Sequence, residues 1–154
     1  LLAAIAERGV NRAEVVLHVG AGTFKPVEVE DPSEHVMHEE RYTIPELTAE
    51  AHAAARGEGR RVWAVGTTTI RTLESAIGDD GRVRAGSGET RIFIRPPATL
   101  RAVDAVVTNF HLPRSTLIML VAAVAGYELT MHAYREAIAE RYRFYSYGDA
   151  MAIV

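Results

Sequence analysis

An α/β fold, layered α/β/α around a mostly parallel sheet, is what this chain of 154 residues predicts. Three observations carry that reading. Short apolar runs rich in Val and Ile alternate with longer segments of helical period, the spacing of strand–helix–strand units with right-handed crossovers. Polar side chains collect where strand-like runs give way to helical ones, which is where open α/β sheets bind ligands. A hydrophobic content of 48 % and a charged content of 24 % are those of a globular chain with a core, and the length suits one domain over residues 1–154.

The elements follow in order. Residues 1–9 read as a short amphipathic helix closed by Gly9. They lack a basic n-region and a cleavage site, so this is no signal peptide. A chain that begins inside a helix without Met is expected to be a piece of a longer one. Residues 14–19 read as a buried strand leaving through Gly20-Ala21-Gly22-Thr23, where glycine lets backbone come close to a ligand. A lone G-x-G is not a dinucleotide fingerprint. An acidic connector around Asp31-Pro32 precedes His35, His38, Glu39 and Glu40, and residues 41–44 form a short strand. Pro45 stands at the first position of an Ala-rich helix to Ala55. Residues 60–65 are a strand, Gly66-Thr67-Thr68-Thr69 its exit, and 70–76 the next helix. Residues 78–88 read as turns and 90–94 as an alternating strand that Pro96-Pro97 breaks. After the strand 105–107 comes a polar hinge, residues 108–116, in which Pro113 forbids a continuous helix. The apolar helix 117–125 follows, with Ser115 or Thr116 as its N-cap. A second helix, 130–141, carries Tyr134, Ile138 and Tyr142 on one stripe. A loop and a final strand complete the chain.

Composition excludes several chemistries. No cysteine is present, which rules out disulfides, thiolate catalysis and cysteine zinc sites and fits the cytoplasm. The longest apolar run, 117–125, is well short of the roughly 18 residues that span a bilayer, so no membrane partner is expected. Net charge is −3. Residues 56–114 nevertheless carry ten Arg against six acids, while residues 1–55 carry ten acids against four bases. A basic middle suits phosphates, or it pairs with the acidic start.

The candidate chemistry lies in four places. His35 and His38 are three apart and, with His18 or His111, would suit a metal if helical, but their surroundings read as extended. His38, Glu39 and His111 are the candidates for acid–base work, or else are structural histidines and a surface acid. Gly66, Thr67 and Thr68 at a helix start, with Arg71 in the next turn, suit a carboxylate or phosphate. The alternative there is threonine capping plus a surface pair between Arg71 and Glu74. Around residues 141–147, Arg141 and Arg143 alternate with Tyr142, Phe144, Tyr145 and Tyr147, a strip that stacks bases and neutralises phosphates, or that finishes a core.

Five blocks then stand out as strings: residues 17–27 from Leu17-His18-Val19-Gly20, 35–39, 64–75 from Ala64-Val65-Gly66-Thr67, 108–117 from Thr108-Asn109-Phe110-His111, and 142–151 from Tyr142-Arg143-Phe144-Tyr145. In this order they resemble the S-adenosylmethionine:tRNA ribosyltransferase-isomerase family of queuosine biosynthesis. Arg95-Pro96-Pro97-Ala98 departs from it, standing where the family usually has a Pro-Gly-aromatic turn. The resemblance implies an enzyme that moves the ribosyl part of S-adenosylmethionine onto 7-aminomethyl-7-deazaguanine in tRNA, yielding epoxyqueuosine-tRNA, adenine and methionine. It also implies that the chain is the C-terminal part of a two-domain enzyme, without the N-terminal portion and the small β-barrel domain.

The residues suit that chemistry in the following expected roles. His38, His111 and Glu39 are the catalytic candidates. Gly20, Thr23, Gly66, Thr67, Thr68, Arg71, Asn109, Tyr147 and Asp149 bind S-adenosylmethionine as co-substrate, with no metal. Arg114, Arg143 and Ser115 hold the tRNA. The rival expectations are a metal-dependent hydrolase using His18, His35, His38 and His111, and a non-catalytic nucleotide- or RNA-binding module.

Overall fold

A computed structural model of the protein describes residues 1–20 and 26–154. The chain order is α1 (Leu2–Glu7), β1 (Val16–His18), β2 (Glu40–Ile44), α2 (Glu46–Gly57), β3 (Trp63–Val65), α3 (Thr67–Ala76), β4 (Gly86–Thr90), β5 (Ala105–Asn109), α4 (Thr116–Ala125), α5 (Tyr127–Ala139) and β6 (Ala150–Ile153). Short 3-10 turns cover Pro32–Glu34 and Tyr145–Tyr147.

The mostly parallel sheet does not form. Among the described residues the strands make two three-stranded sheets, β1-β2-β4 and β3-β5-β6. The first is antiparallel throughout, and in the second only β3 and β5 run parallel while β6 is antiparallel. The cause lies in β4. The chain leaves β3 through α3, gives β4 to the other sheet, and only then returns beside β3 as β5. A single crossover therefore survives where a series was expected.

β4 was hidden by its composition, since Gly86-Ser87-Gly88 reads as turn. Pairing with β2 overrides that local preference. Gly88 is needed for contact, because a Cβ there would lie 2.5 Å from the Tyr42 hydroxyl that crosses it. The strand expected at 90–94 begins and ends earlier, and Ile92 and Ile94 pack into the core instead.

Helix α3 sits against both sheets and supplies the core with Ile70, Leu73 and Ala76. Ile44 of β2, Ala64 of β3, Val106 of β5 and Leu120 of α4 complete it. The buried stripe of α2 is Thr48, His52 and Ala55, and the His52 Nε2 meets the Ala102 carbonyl at 2.8 Å. Ser115 is the N-cap of α4, accepting from the Ile118 N–H at 3.3 Å. At Gly126 the chain turns through 116° into α5. A second core of Phe110, Val121, Tyr134 and Ala137 lies there. Ala137 rather than Ile138 faces inward, and Ile138 and Tyr142 are exposed, so the expected stripe shifts by one residue. Among the described residues no single helix is long and apolar enough to cross a membrane.

Candidate functional site

The carboxyl ends of the parallel pair β3–β5 bring two of the five blocks together. Gly66 leaves β3 with φ +88° and ψ 145°, a conformation open to glycine alone, and its N–H donates to the Val107 carbonyl at 2.8 Å. Thr67, Thr68 and Thr69 then form the first turn of α3 with no side-chain cap. The Thr69 N–H already donates to the Gly66 carbonyl at 3.1 Å, and the helix start ahead of it is where the dipole favours an anion. Thr69 is spent on the Val65 carbonyl at 2.7 Å.

β5 ends beside this turn, in the hinge. The Asn109 Nδ2 donates to the Asp149 carbonyl at 3.1 Å, leaving its side-chain oxygen to accept. The Phe110 carbonyl accepts from the Tyr145 N–H at 2.9 Å. The Phe110 ring lies 5.3 to 5.6 Å from those of Tyr134, Tyr142 and Phe144. The aromatic strip therefore packs against the hinge through Phe144 and Tyr142, and its tip, Tyr147, is its most exposed ring at 72 %.

His111 is half-buried between these layers. Its backbone N–H donates to the Tyr134 hydroxyl at 2.8 Å, and Nε2 shares a hydrogen bond with the Thr108 hydroxyl at 2.8 Å. Burial pushes its pKa down to about 4. The ring is neutral near pH 7 and suits hydrogen bonding better than proton abstraction. His38 is exposed, just ahead of β2. Glu39 is also exposed and pairs with Arg91 at 3.0 Å.

Block 35–39 is joined to these through the next residue, Glu40, to which the sequence assigned no role. Arg71 is 3 % exposed and Glu40 2 % exposed, and their side chains form a buried ion pair. The alternative reading, a surface pair of Arg71 with Glu74, does not form, since the Glu74 carboxylate accepts from the Arg101 and Ala102 N–H groups at 2.9 and 2.8 Å. Helical spacing marked Glu74 as the partner; only the packing of β2 on α3 shows the real one. Arg71 also lines a cavity of about 10 Å³ with Met37, Ile92, Phe93, Ile94, Thr116, Leu117 and Leu120.

Three tRNA candidates separate. Arg114 is exposed in a left-handed turn at φ +57°. Arg143 is gripped by Asp149, with N–O distances of 2.6 to 3.2 Å. Hydrogen bonds from Arg143 hold the Asp149 carboxyl below the usual range and raise the guanidinium. Ser115 is not on a nucleic-acid surface. It is 4 % exposed and its hydroxyl both caps α4 and donates to the Leu112 carbonyl at 2.8 Å. Among the remaining candidates, Gly20 takes an ordinary φ with open space beside it, and Thr23 lies outside the described residues.

The histidines do not gather. His35 packs edge-on against Phe93 at 5.6 Å, and His18 faces outward on β1 beside Arg41. Among the described residues no three His, Cys, Asp or Glu side chains come together as a metal-binding set. Among the described residues the basic middle meets the acidic start in the ion pairs Arg71–Glu40 and Arg91–Glu39. A broad open hollow of about 530 Å³ lies elsewhere, over the outer face of the first sheet, lined by His18, Arg41, Thr43, Ser87 and Glu89. Its walls are an exposed pair and a hydroxyl pair, and none of the converging blocks reaches it.

Comparison with known proteins gives close matches. The family described as Queuosine biosynthesis protein matches residues 1–153. An S-adenosylmethionine:tRNA ribosyltransferase-isomerase of Symbiobacterium thermophilum is 59 % identical over 155 residues, covering 100 % of this chain and 45 % of its own length. One from Thermus thermophilus is 60 % identical over 154 residues, covering 100 % of this chain and 44 % of its own. A crystal structure of S-adenosylmethionine tRNA ribosyltransferase from Thermotoga maritima superposes with a TM-score of 0.81 at 48 % identity, over 99 % of this chain and 48 % of that one. The chain thus spans about half the length of the curated relatives it matches.

Proposed function

The chain belongs to the queuosine biosynthesis protein family, and on that premise we propose that it serves an S-adenosylmethionine:tRNA ribosyltransferase-isomerase, together with the portion of its relatives that it does not span. The reaction moves and rearranges the ribosyl moiety of S-adenosylmethionine onto 7-aminomethyl-7-deazaguanine in tRNA. Epoxyqueuosine-tRNA forms, and adenine and methionine leave. The reading places the protein in the cytoplasm, with its tRNA. One observation carries it: the α3 start, the hinge and the C-terminal aromatic strip meet at one end of the second sheet.

The chemistry suits that convergence. A sulfonium acidifies the neighbouring C5′ hydrogens, and a base of moderate strength removes one of them. Exposed His38 takes that role, with Glu39 beside it, because His111 is held neutral and weakly basic. His111 and the free oxygen of Asn109 hydrogen-bond the departing adenine. Tyr147 offers its ring to the sulfonium. Gly66, Thr67 and Thr68, with Arg71 behind them, receive the amino-acid end of the donor, and Gly20 and Thr23 remain candidates for the same ligand from sequence. Asp149 sets the position of Asn109 and Arg143. Arg114 and Arg143 meet tRNA phosphates, where exposed ion pairs exchange partners at little cost.

The test supplies S-adenosylmethionine and tRNA bearing the deazaguanine precursor to the full-length protein that contains this chain, and measures free adenine and a heavier nucleoside. Both are expected. His38→Ala lowers turnover at least a hundredfold, and His111→Ala about tenfold. Binding of both substrates without adenine release contradicts the proposal and favours a non-catalytic binding module. Stoichiometric metal in the purified protein favours a histidine-based hydrolase.

A further inference from the structure

The cavity beside Arg71 carries more than the functional reading uses. The Arg71 guanidinium is ion-paired to Glu40 on one side only, and its Nε and Nη1, both buried, find no hydrogen-bond partner among the described residues. The hydroxyl of Thr116, a residue 6 % exposed, is buried without a partner as well. Arg71 and Thr116 line the same cavity. Buried donors are normally satisfied, and an unsatisfied set facing one space marks a place for an acceptor. Thr116 opens α4, a helix of ten residues, so the helix start adds its own attraction for negative charge.

Size and lining narrow the ligand. About 10 Å³ is room for one oxygen-sized group and no more. Every donor present wants an acceptor, which selects a carboxylate oxygen over an ammonium. The rest of the lining is Met37, Ile92, Phe93, Ile94, Leu117 and Leu120, apolar, so Arg71 and Thr116 alone offer the oxygen hydrogen bonds. Glu40 keeps the guanidinium from being a lone buried charge and fixes which of its edges faces the cavity.

We infer that Arg71 and Thr116 form a buried socket for one carboxylate oxygen of an α-amino-acid group. The inference rests on reading the site as one for S-adenosylmethionine. It places the carboxylate between the α3 and α4 starts, where sequence alone pointed to the α3 start. Thr116, which the sequence marked only as a candidate N-cap of α4, becomes a specificity residue.

The experiment measures binding of S-adenosylmethionine and of its decarboxylated analogue by calorimetry. The unsubstituted protein prefers the carboxylate-bearing compound at least tenfold, as a charged hydrogen bond in a buried site requires. Thr116→Val keeps the shape and leaves the Ser115 cap intact. It reduces the preference about tenfold while affinity for the analogue holds, and Thr116→Ser restores it. Equal weakening of both compounds by Thr116→Val, or no initial preference, overturns the socket and leaves the functional reading standing. Failure of both compounds to bind overturns that reading and the socket with it.

Discussion

At the scale of single residues, the site is governed by which polar groups are already spent. Ser115, Thr69 and Glu74 are polar side chains within the matching blocks, yet each is committed to backbone. His111 is the opposite case, a histidine whose environment has changed its chemistry. Its folded pKa of about 4 lies below the ordinary 6.5, so between those values the unfolded chain binds the extra proton. Stability is therefore complete above about pH 6.5 and falls as the pH drops toward 4, by on the order of 2 kcal/mol once partial exposure is discounted. Chemical denaturation at a series of pH values checks this, with His111→Gln expected to flatten the slope. An unchanged slope would mean that the acid sensitivity comes from other groups.

At the scale of elements, the places where the sequence was readable are those where local physics decides. The α4 start declared itself through Ser115 and the apolar run behind it, and α3 through the glycine ahead of three threonines. β4 stayed invisible because Gly86 and Gly88 lower strand propensity, and only pairing with β2 and the Tyr42 ring across Gly88 reveal its purpose. The hinge was legible as a polar loop after a strand. Its partners were not, because Asn109 and Asp149 are forty residues apart and Arg71 reaches Glu40 across another element. Gly66 joins both sides of this contrast, since its φ of +88° sets the direction of α3. Gly66→Ala is expected to cost about 1–3 kcal/mol by thermal unfolding and to weaken S-adenosylmethionine binding. A neutral substitution would show that the turn relaxes without strain.

At the scale of the molecule, two small sheets share α3, and the second sheet carries the converging blocks at one end. The fold class was right in its mixture of helices and strands and wrong in its parallel sheet, because β4 crosses to the other sheet before β5 returns. That exchange ties β2, with Glu40, to the helix that begins at Gly66. It thereby brings the segment around His38 toward the hinge instead of leaving it on a remote strand. A donor gripped at this end touches three stretches distant in sequence. Titration of isotopically labelled protein with S-adenosylmethionine, followed by amide chemical shifts, tests that most directly. The account predicts that shifts concentrate together in residues 66–71, 109–116 and 142–149. Shifts confined to His18, Arg41, Thr43, Ser87 and Glu89, in the hollow of the first sheet, would contradict it.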